Sequence, residues 1–335
     1  MLAALSELIH PFLFVCQGPR RSSKATKVPL HAFSLKTLRE TESTVRHYVD
    51  QFVHRVGQNG GPKTRGVDTS TVYNWLTFDI IADLTFGKSF NSIFDWKPSA
   101  WVSLLLDFTS HLTLLPVISR LSVPGSVLPF LMPKALKQSL DLHNKMTEEM
   151  VEHRIKLGDL HDREDFFAQT IPKETLISRE ITGDSTSGLT YLNAVIEEGL
   201  RLFPPAPFGL PRVCPGATIN GLFIPKGTIV SVDTYTVSHD ARNFPQPNNF
   251  IPDRWIDREW KVNRDASRPF SLGPRGCLGM NLAYLEARMT LASLVYAYDL
   301  ELINQDTDWF SHVTFHTVWK KPPLMVRFHP RDISA

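Results

Sequence analysis

Phe270-Ser-Leu-Gly-Pro-Arg-Gly-Cys277-Leu-Gly279 sets one cysteine between two glycines, two residues after an arginine and seven after a phenylalanine. A lone thiolate on such a loop can hold a haem iron from one face, and it pushes electron density onto the metal in a way that favours O–O cleavage. The flanking residue types suit that chemistry. Gly273, Gly276 and Gly279 let the backbone turn tightly and approach a flat macrocycle with no Cβ in the way. Arg275 can pair with a haem propionate, and Phe270 can shield the sulfur from water. Backbone N–H groups that donate to the Cys277 sulfur would tune the potential of the iron. The plainer alternative is a structural cysteine buried in a Gly-rich turn. That alternative leaves the phenylalanine, the arginine and the glycines at their fixed offsets without a purpose.

These side chains need elements to position them. From Met280 to Tyr296 apolar residues recur at helical spacing with no Gly or Pro between them, so Cys277 sits on a loop just before a helix. The free N–H groups and positive end of that helix favour negative charge beside them. Upstream, the run from Tyr191 reads as an apolar-periodic helix terminated by Pro204 and Pro205. Glu198 and Arg201 stand at i, i+3 on one face of it, where they can form a charge pair. Residues 211–233 alternate short β-rich runs with turns at Pro215-Gly216, Asn220-Gly221 and Lys226-Gly227, which predicts a small sheet built from hairpins. In the first half, an amphipathic helix runs from Ser34, stopped by Gly57 and the Gly60-Gly61-Pro62 turn. A second runs from Val67 to a Gly87 stop. Residues 99–132 are apolar and broken by Pro116, Pro124 and Pro129, and a charged periodic helix follows from Ser139 to Leu157.

Together these segments resemble the cytochrome P450 family, whose haem loop has the pattern Phe-x-x-Gly-x-Arg-x-Cys-x-Gly. Glu198-Gly-Leu-Arg201 is similar to the family's Glu-x-x-Arg helix. Phe250-Ile-Pro-Asp-Arg254-Trp255 is similar to the later segment whose arginine completes that pair. The resemblance implies a mainly α fold with small β-sheets, organised as a single domain over 1–335. Within it, 1–33 match poorly, 34–181 hold the early and middle helices, and 182–335 hold the Glu-x-x-Arg helix, the β region and the haem loop. It further implies Cys277 as the axial ligand of haem b, Arg212 and Arg275 as propionate partners, and Glu198, Arg201 and Arg254 as a structural triad. His239 is then structural rather than a second iron ligand, because oxygen needs an open sixth site. The Phe78-Asp-Ile-Ile-x-Asp-Leu-x-Phe-Gly87 stretch resembles fungal members, and 99–132 their variable substrate-facing helices. The implied activity is insertion of one atom of O2 into a hydrophobic small molecule of fungal secondary metabolism. Electrons would come from NADPH through a cytochrome P450 reductase, at the cytosolic face of the endoplasmic reticulum membrane.

Two departures from the family pattern qualify that expectation. The family's oxygen-side helix carries an Ala/Gly-Gly-x-Asp/Glu-Thr-Thr/Ser motif, of which Thr182-Gly-Asp-Ser-Thr186-Ser187 is a degenerate echo with Ser185 where the acid belongs. Glu198 follows Ser187 by only eleven residues. The segment reads as a join across a deletion; Thr186 fits a turn residue as well as it fits the proton-delivering threonine, and no catalytic role is assigned to it. The chain also opens almost at the helix after the one that, in the family, carries a propionate-binding Trp/Arg pair, beyond the membrane anchor and the early β region. The expectation therefore carries an alternative, a catalytically inactive truncated remnant. A third is a haem-thiolate peroxygenase or isomerase that needs no such threonine.

Composition bounds the rest. The 335 residues are 42% hydrophobic and 10% aromatic, enough for a sizeable core. Thirty-six basic against thirty-four acidic residues leave a net charge of +2, with no nucleic-acid footprint. Cys16, Cys214 and Cys277 form no CxxC pair, which argues against a disulfide framework or a zinc site. Residues 1–17 are apolar, but Glu7, His10 and Pro11 interrupt them and they fall short of the ~20 residues of a membrane span. They also lack the pattern of a secretory signal. The basic cluster Arg20, Arg21, Lys24 and Lys27 reads as a solvated loop, with contact to anionic lipid as the alternative.

Overall fold

The computed structural model describes residues 35–104, 134–157, 181–273, 276–316 and 318–332. Most of the apolar run at 99–132, residues 1–33 and Arg275 lie outside them. The described chain is mainly helical with small antiparallel sheets. It divides into two compact units, one holding Leu189–Asn281 and the other Leu35–Gly188 with Leu282–Ala335.

The larger unit begins with helix α1 (Leu35–Gly60). Val45, Val49, Phe52, Val53 and Val56 recur at three- and four-residue spacing and are all buried, the stripe that turns an amphipathic helix towards a core. The helix runs on through Gly57, where the sequence suggested a stop, and ends at Gly60. Tyr298 explains the glycine: its hydroxyl donates to the Val53 carbonyl at 3.0 Å, and a Cβ at position 57 would collide with it. Strand β1 (Val67–Asp68) leads into α2 (Thr69–Phe86). The Asp68 carboxylate caps α2 by accepting from the Ser70 N–H at 3.1 Å. Gly87, at φ 71°, closes it by donating to the Asp83 carbonyl. Buried Asp79 starts α3 (Ser92–Asp95) by accepting the Ser92 and Ile93 amides at 3.2 and 2.9 Å. Helix α4 (Lys134–Leu157) is the expected charged helix, begun five residues earlier than Ser139. The short α5 (Gly183–Ser187) completes this stretch.

The smaller unit opens with α6 (Thr190–Leu202), which ends where the Phe203 N–H reaches back to the Gly199 carbonyl at 2.8 Å. The predicted hairpins follow. Strand β2 (Arg212–Val213) pairs with β5 (Ile229–Val230), and β3 (Ala217–Ile219) pairs with β4 (Leu222–Ile224). Asn220 and Gly221 take φ 49° and 82°, the paired positive values of a tight hairpin turn whose twist matches its strands. Helix α7 (Thr234–Ser238) is capped by Asp233, which accepts the Thr236 amide at 2.9 Å. A 3-10 turn over Pro252–Trp255 comes next.

Helix α8 (Met280–Ala297) starts three residues after Cys277. Its Leu282, Leu285, Met289 and Leu294 join the core of the larger unit with the α1 stripe, Trp75, Leu76 and Ile80. The chain then forms β6 (Tyr298–Leu302), the hairpin β7 (Thr314–His316) and β8 (Val318–Lys320), and β9 (Met325–Pro330). An antiparallel sheet in the order β1-β9-β6 lays Val326 and Phe328 into the same core.

Candidate functional site

The α6 face that carries Glu198 and Arg201 is buried, and both residues, with Arg254 from the 3-10 turn, are 0% exposed. Glu198 Oε1 accepts from Arg201 Nη2 at 2.8 Å, Arg254 Nε at 3.1 Å and the Ile251 amide at 2.9 Å. Its Oε2 accepts from Arg201 Nε and from Trp255 Nε1, each at 2.9 Å. Two arginines around one carboxylate leave excess positive charge, which backbone carbonyls answer. Arg201 donates to Ser238, Pro247 and Asn249, and Arg254 to Pro245, Gln246 and Asn249. Burial opposes the charge on Glu198, but the Arg201 hydrogen bonds, the Ile251 amide and the Trp255 indole outweigh it, and the carboxyl titrates below its ordinary range. Burial lowers the affinity of Arg254 for its proton while the Glu198 charge opposes that shift. The sequence singled out the three charged members but gave Trp255 no role; its adjacency to Arg254 was the available signal.

The Cys277 loop is closed at its base. The Cys277 amide donates to the Phe270 carbonyl at 2.8 Å, and the Gly276 amide donates to the Gly273 carbonyl at 2.9 Å. Gly273 takes φ 64°, a conformation open to glycine and strained for other residues. A Cβ on Gly279 would sit 4.0 Å from the Cys277 sulfur, so the glycine keeps that flank of the sulfur clear. Cys277 is exposed and Cys214 is buried, which makes Cys277 the accessible thiol among the described residues. Phe270 is half-buried at the other end of the loop. An open thiol, a flank without side-chain bulk and the first turn of an 18-residue helix close behind it fit a flat, iron-bearing ring.

The remaining sequence candidates are spread more widely. Arg212 lies on β2, and its Nη1 donates to the Leu210 and Pro211 carbonyls at 3.3 and 3.2 Å. His239 stacks on Tyr235 at 4.0 Å between ring centroids, with Nδ1 2.9 Å from the Tyr235 carbonyl. That oxygen can only accept, so Nδ1 carries the proton. Burial lowers the His239 pKa, and the Tyr235 carbonyl opposes the shift. Thr186 is 1% exposed in α5, where its hydroxyl donates to the Thr182 carbonyl at 2.7 Å. Thr182 and Ser185 form a reciprocal capping box, and Glu42 Oε1 accepts the Gly183 amide at 3.0 Å. Among the described residues no helix is long and apolar enough to cross a membrane, and no cluster of side chains suits a bare metal ion.

Residues 173–328 match the family described as Cytochrome P450. The chain is similar to "Cytochrome P450 monooxygenase BOA3" of Botryotinia fuckeliana (strain B05.10), 32% identical over 372 residues, covering 92% of this chain and 73% of that protein. It is similar to "Cytochrome P450 monooxygenase BOT4" of Botryotinia fuckeliana, 33% identical with 93% and 69% covered. A third relative, "Cytochrome P450 monooxygenase ORF9" of Penicillium roqueforti (strain FM164), is 34% identical with 91% and 70% covered. All three alignments, over 372, 366 and 355 residues, exceed the 335 residues of this chain. Each relative therefore carries internal residues that this chain lacks.

Proposed function

This chain belongs to the cytochrome P450 family, and we propose that it acts as a haem-thiolate monooxygenase on a hydrophobic small molecule of fungal secondary metabolism. The observation that carries this reading is the Cys277 loop: an accessible thiol on a backbone-closed turn at the head of a helix. Haem bound there supplies oxygen activation, with electrons from NADPH delivered by a cytochrome P450 reductase. The chain's own residues do the rest. Cys277 Sγ is the iron ligand, Phe270 keeps water from the sulfur, and Gly273 and Gly279 admit the ring. Arg212 and Arg275 hold propionates. Glu198, Arg201 and Arg254 hold the backbone between α7 and the loop in place, so that the sulfur is presented at a fixed position. Family membership supports association with a membrane, and residence on the cytosolic face of the endoplasmic reticulum is part of this proposal.

A second reading, a haem-binding remnant without monooxygenase activity, is favoured by two observations. The alignments run longer than the chain, and the segment with the oxygen-side echo spends its threonine hydroxyl on its own helix. Reconstitution with haem, reductase, NADPH and isotopically labelled O2, against a panel of apolar terpenoid and polyketide scaffolds, separates the two. The monooxygenase reading expects a product carrying one labelled oxygen, dependent on NADPH and lost in Cys277→Ala. Haem bound through Cys277 with no NADPH-dependent oxygen uptake and no product would overturn the monooxygenase reading and favour the remnant.

A further inference from the structure

Five N–H groups converge on Glu198, and one belongs to a side chain that neither the charge pattern nor the family triad includes. Trp255 Nε1 donates to Oε2 at 2.9 Å. That oxygen has one other donor, Arg201 Nε, whereas Oε1 has three. Phenylalanine would keep a ring here and lose the donor, leaving half of a buried carboxylate under-satisfied.

The same indole has two further neighbours. Its ring lies 6.1 Å from the Phe244 ring and 6.0 Å from the Arg264 guanidinium carbon, a separation at which a cation is drawn to an aromatic face. Arg264 also reaches the Arg254 carbonyl at 3.4 Å. From Arg264 the chain is tied step by step towards the thiol. Asn263 is fixed to Asn243 through backbone and side chain at 2.9 and 3.0 Å. The Ser267 amide donates to Arg264, the Ser271 amide to Arg268 and the Cys277 amide to Phe270.

We propose that Trp255 is a positioning residue: its N–H completes the Glu198 hub, and its ring holds Arg264, which anchors the 263–273 segment leading to Cys277. The consequence for iron ligation rests on the haem-thiolate reading; the anchoring does not. The α1 core belongs to the other compact unit, so a substitution there serves as a control for general loss of stability.

Hydrogen exchange of the intact chain, read by peptide mass, tests the anchoring. Trp255→Phe should speed exchange across 263–273 by roughly tenfold, whereas Val53→Ala should lower the melting midpoint without that local effect. Arg264→Gln removes the cation from the ring and keeps every donor to Glu198, so it should loosen 263–273 while 198–202 keep their protection. Unchanged exchange in 263–273 for Arg264→Gln overturns the proposal even where Trp255→Phe does not fold. So does an equal rise there in Val53→Ala. With haem added, Trp255→Phe should show a smaller thiolate-ligated fraction in the reduced CO spectrum than Val53→Ala. Absence of the thiolate band in the unsubstituted chain would sink the haem reading and leave the exchange result standing.

Discussion

Glu198 takes hydrogen bonds from four residues while standing out of water, so its charge is costly to bury and fully answered. Removing it would strand two guanidinium groups with no counter-charge. Glu198→Gln should lower the unfolding free energy by about 3–5 kcal/mol, read by denaturant titration; a loss below ~1 kcal/mol would mean that the carbonyls alone hold the arginines. The carboxyl titrates below its ordinary value in the folded chain. Its contribution is therefore complete above the unfolded-state pKa and lost as pH falls through the folded one, so the gap between wild type and Glu198→Gln should close in acid. Arg254→Lys should be nearly as damaging as Arg254→Ala, because Arg254 uses three separate nitrogens on three partners, one carboxylate and two backbone carbonyls. The charged residues of the hub were legible in the sequence because a helix fixes i, i+3 neighbours on one face. Their carbonyl partners at Pro245, Pro247 and Asn249 were not, since any residue type offers a carbonyl and only tertiary folding decides which one arrives.

Among the elements, α1 shows how a local rule yields to packing. Glycine costs a helix about 1 kcal/mol relative to alanine, yet α1 runs straight through Gly57 because Tyr298 occupies the space a side chain would need. Gly57→Ala should therefore destabilise by about 1–3 kcal/mol despite its better propensity, and Tyr298→Phe in the same chain should recover part of the loss; a net gain in melting midpoint from Gly57→Ala would contradict this packing. The same helix carries Asp50, 5% exposed and pushed up to about 6 by burial, with Arg46 opposing the shift. A carboxyl raised in the folded state binds its proton more tightly there, so stability falls as pH climbs from about 4 to about 6. Asp50→Asn should raise the thermal midpoint at pH 7 and leave it unchanged at pH 4. Helices with an apolar stripe or a glycine end were readable from periodicity. The β1-β9-β6 sheet was not, because β1 has two residues and its partner lies far along the chain. Thr182 to Ser187 resembled an oxygen-side motif by residue type; its capping-box geometry follows equally from Thr182 and Ser185 at N-cap and N3.

Across the whole molecule, the near-neutral charge and apolar content suit a globular small-molecule enzyme, and the family membership follows from relatives matched along about nine-tenths of the chain. Those relatives also carry internal residues that this chain does without. The Glu198 hub and the Cys277 loop both lie within Leu189–Asn281, a single compact unit, so the iron ligation proposed for Cys277 would depend first on that unit being formed. Ligation of haem iron by the Cys277 thiolate, as proposed, is read from the absorption spectrum of the haem-loaded, reduced, CO-bound chain beside Cys277→Ala. The unsubstituted chain should show the red-shifted Soret band of a thiolate-ligated carbonyl adduct, and the variant should lose it. A Soret band without that shift, or a shifted band that persists without Cys277, would contradict that ligation.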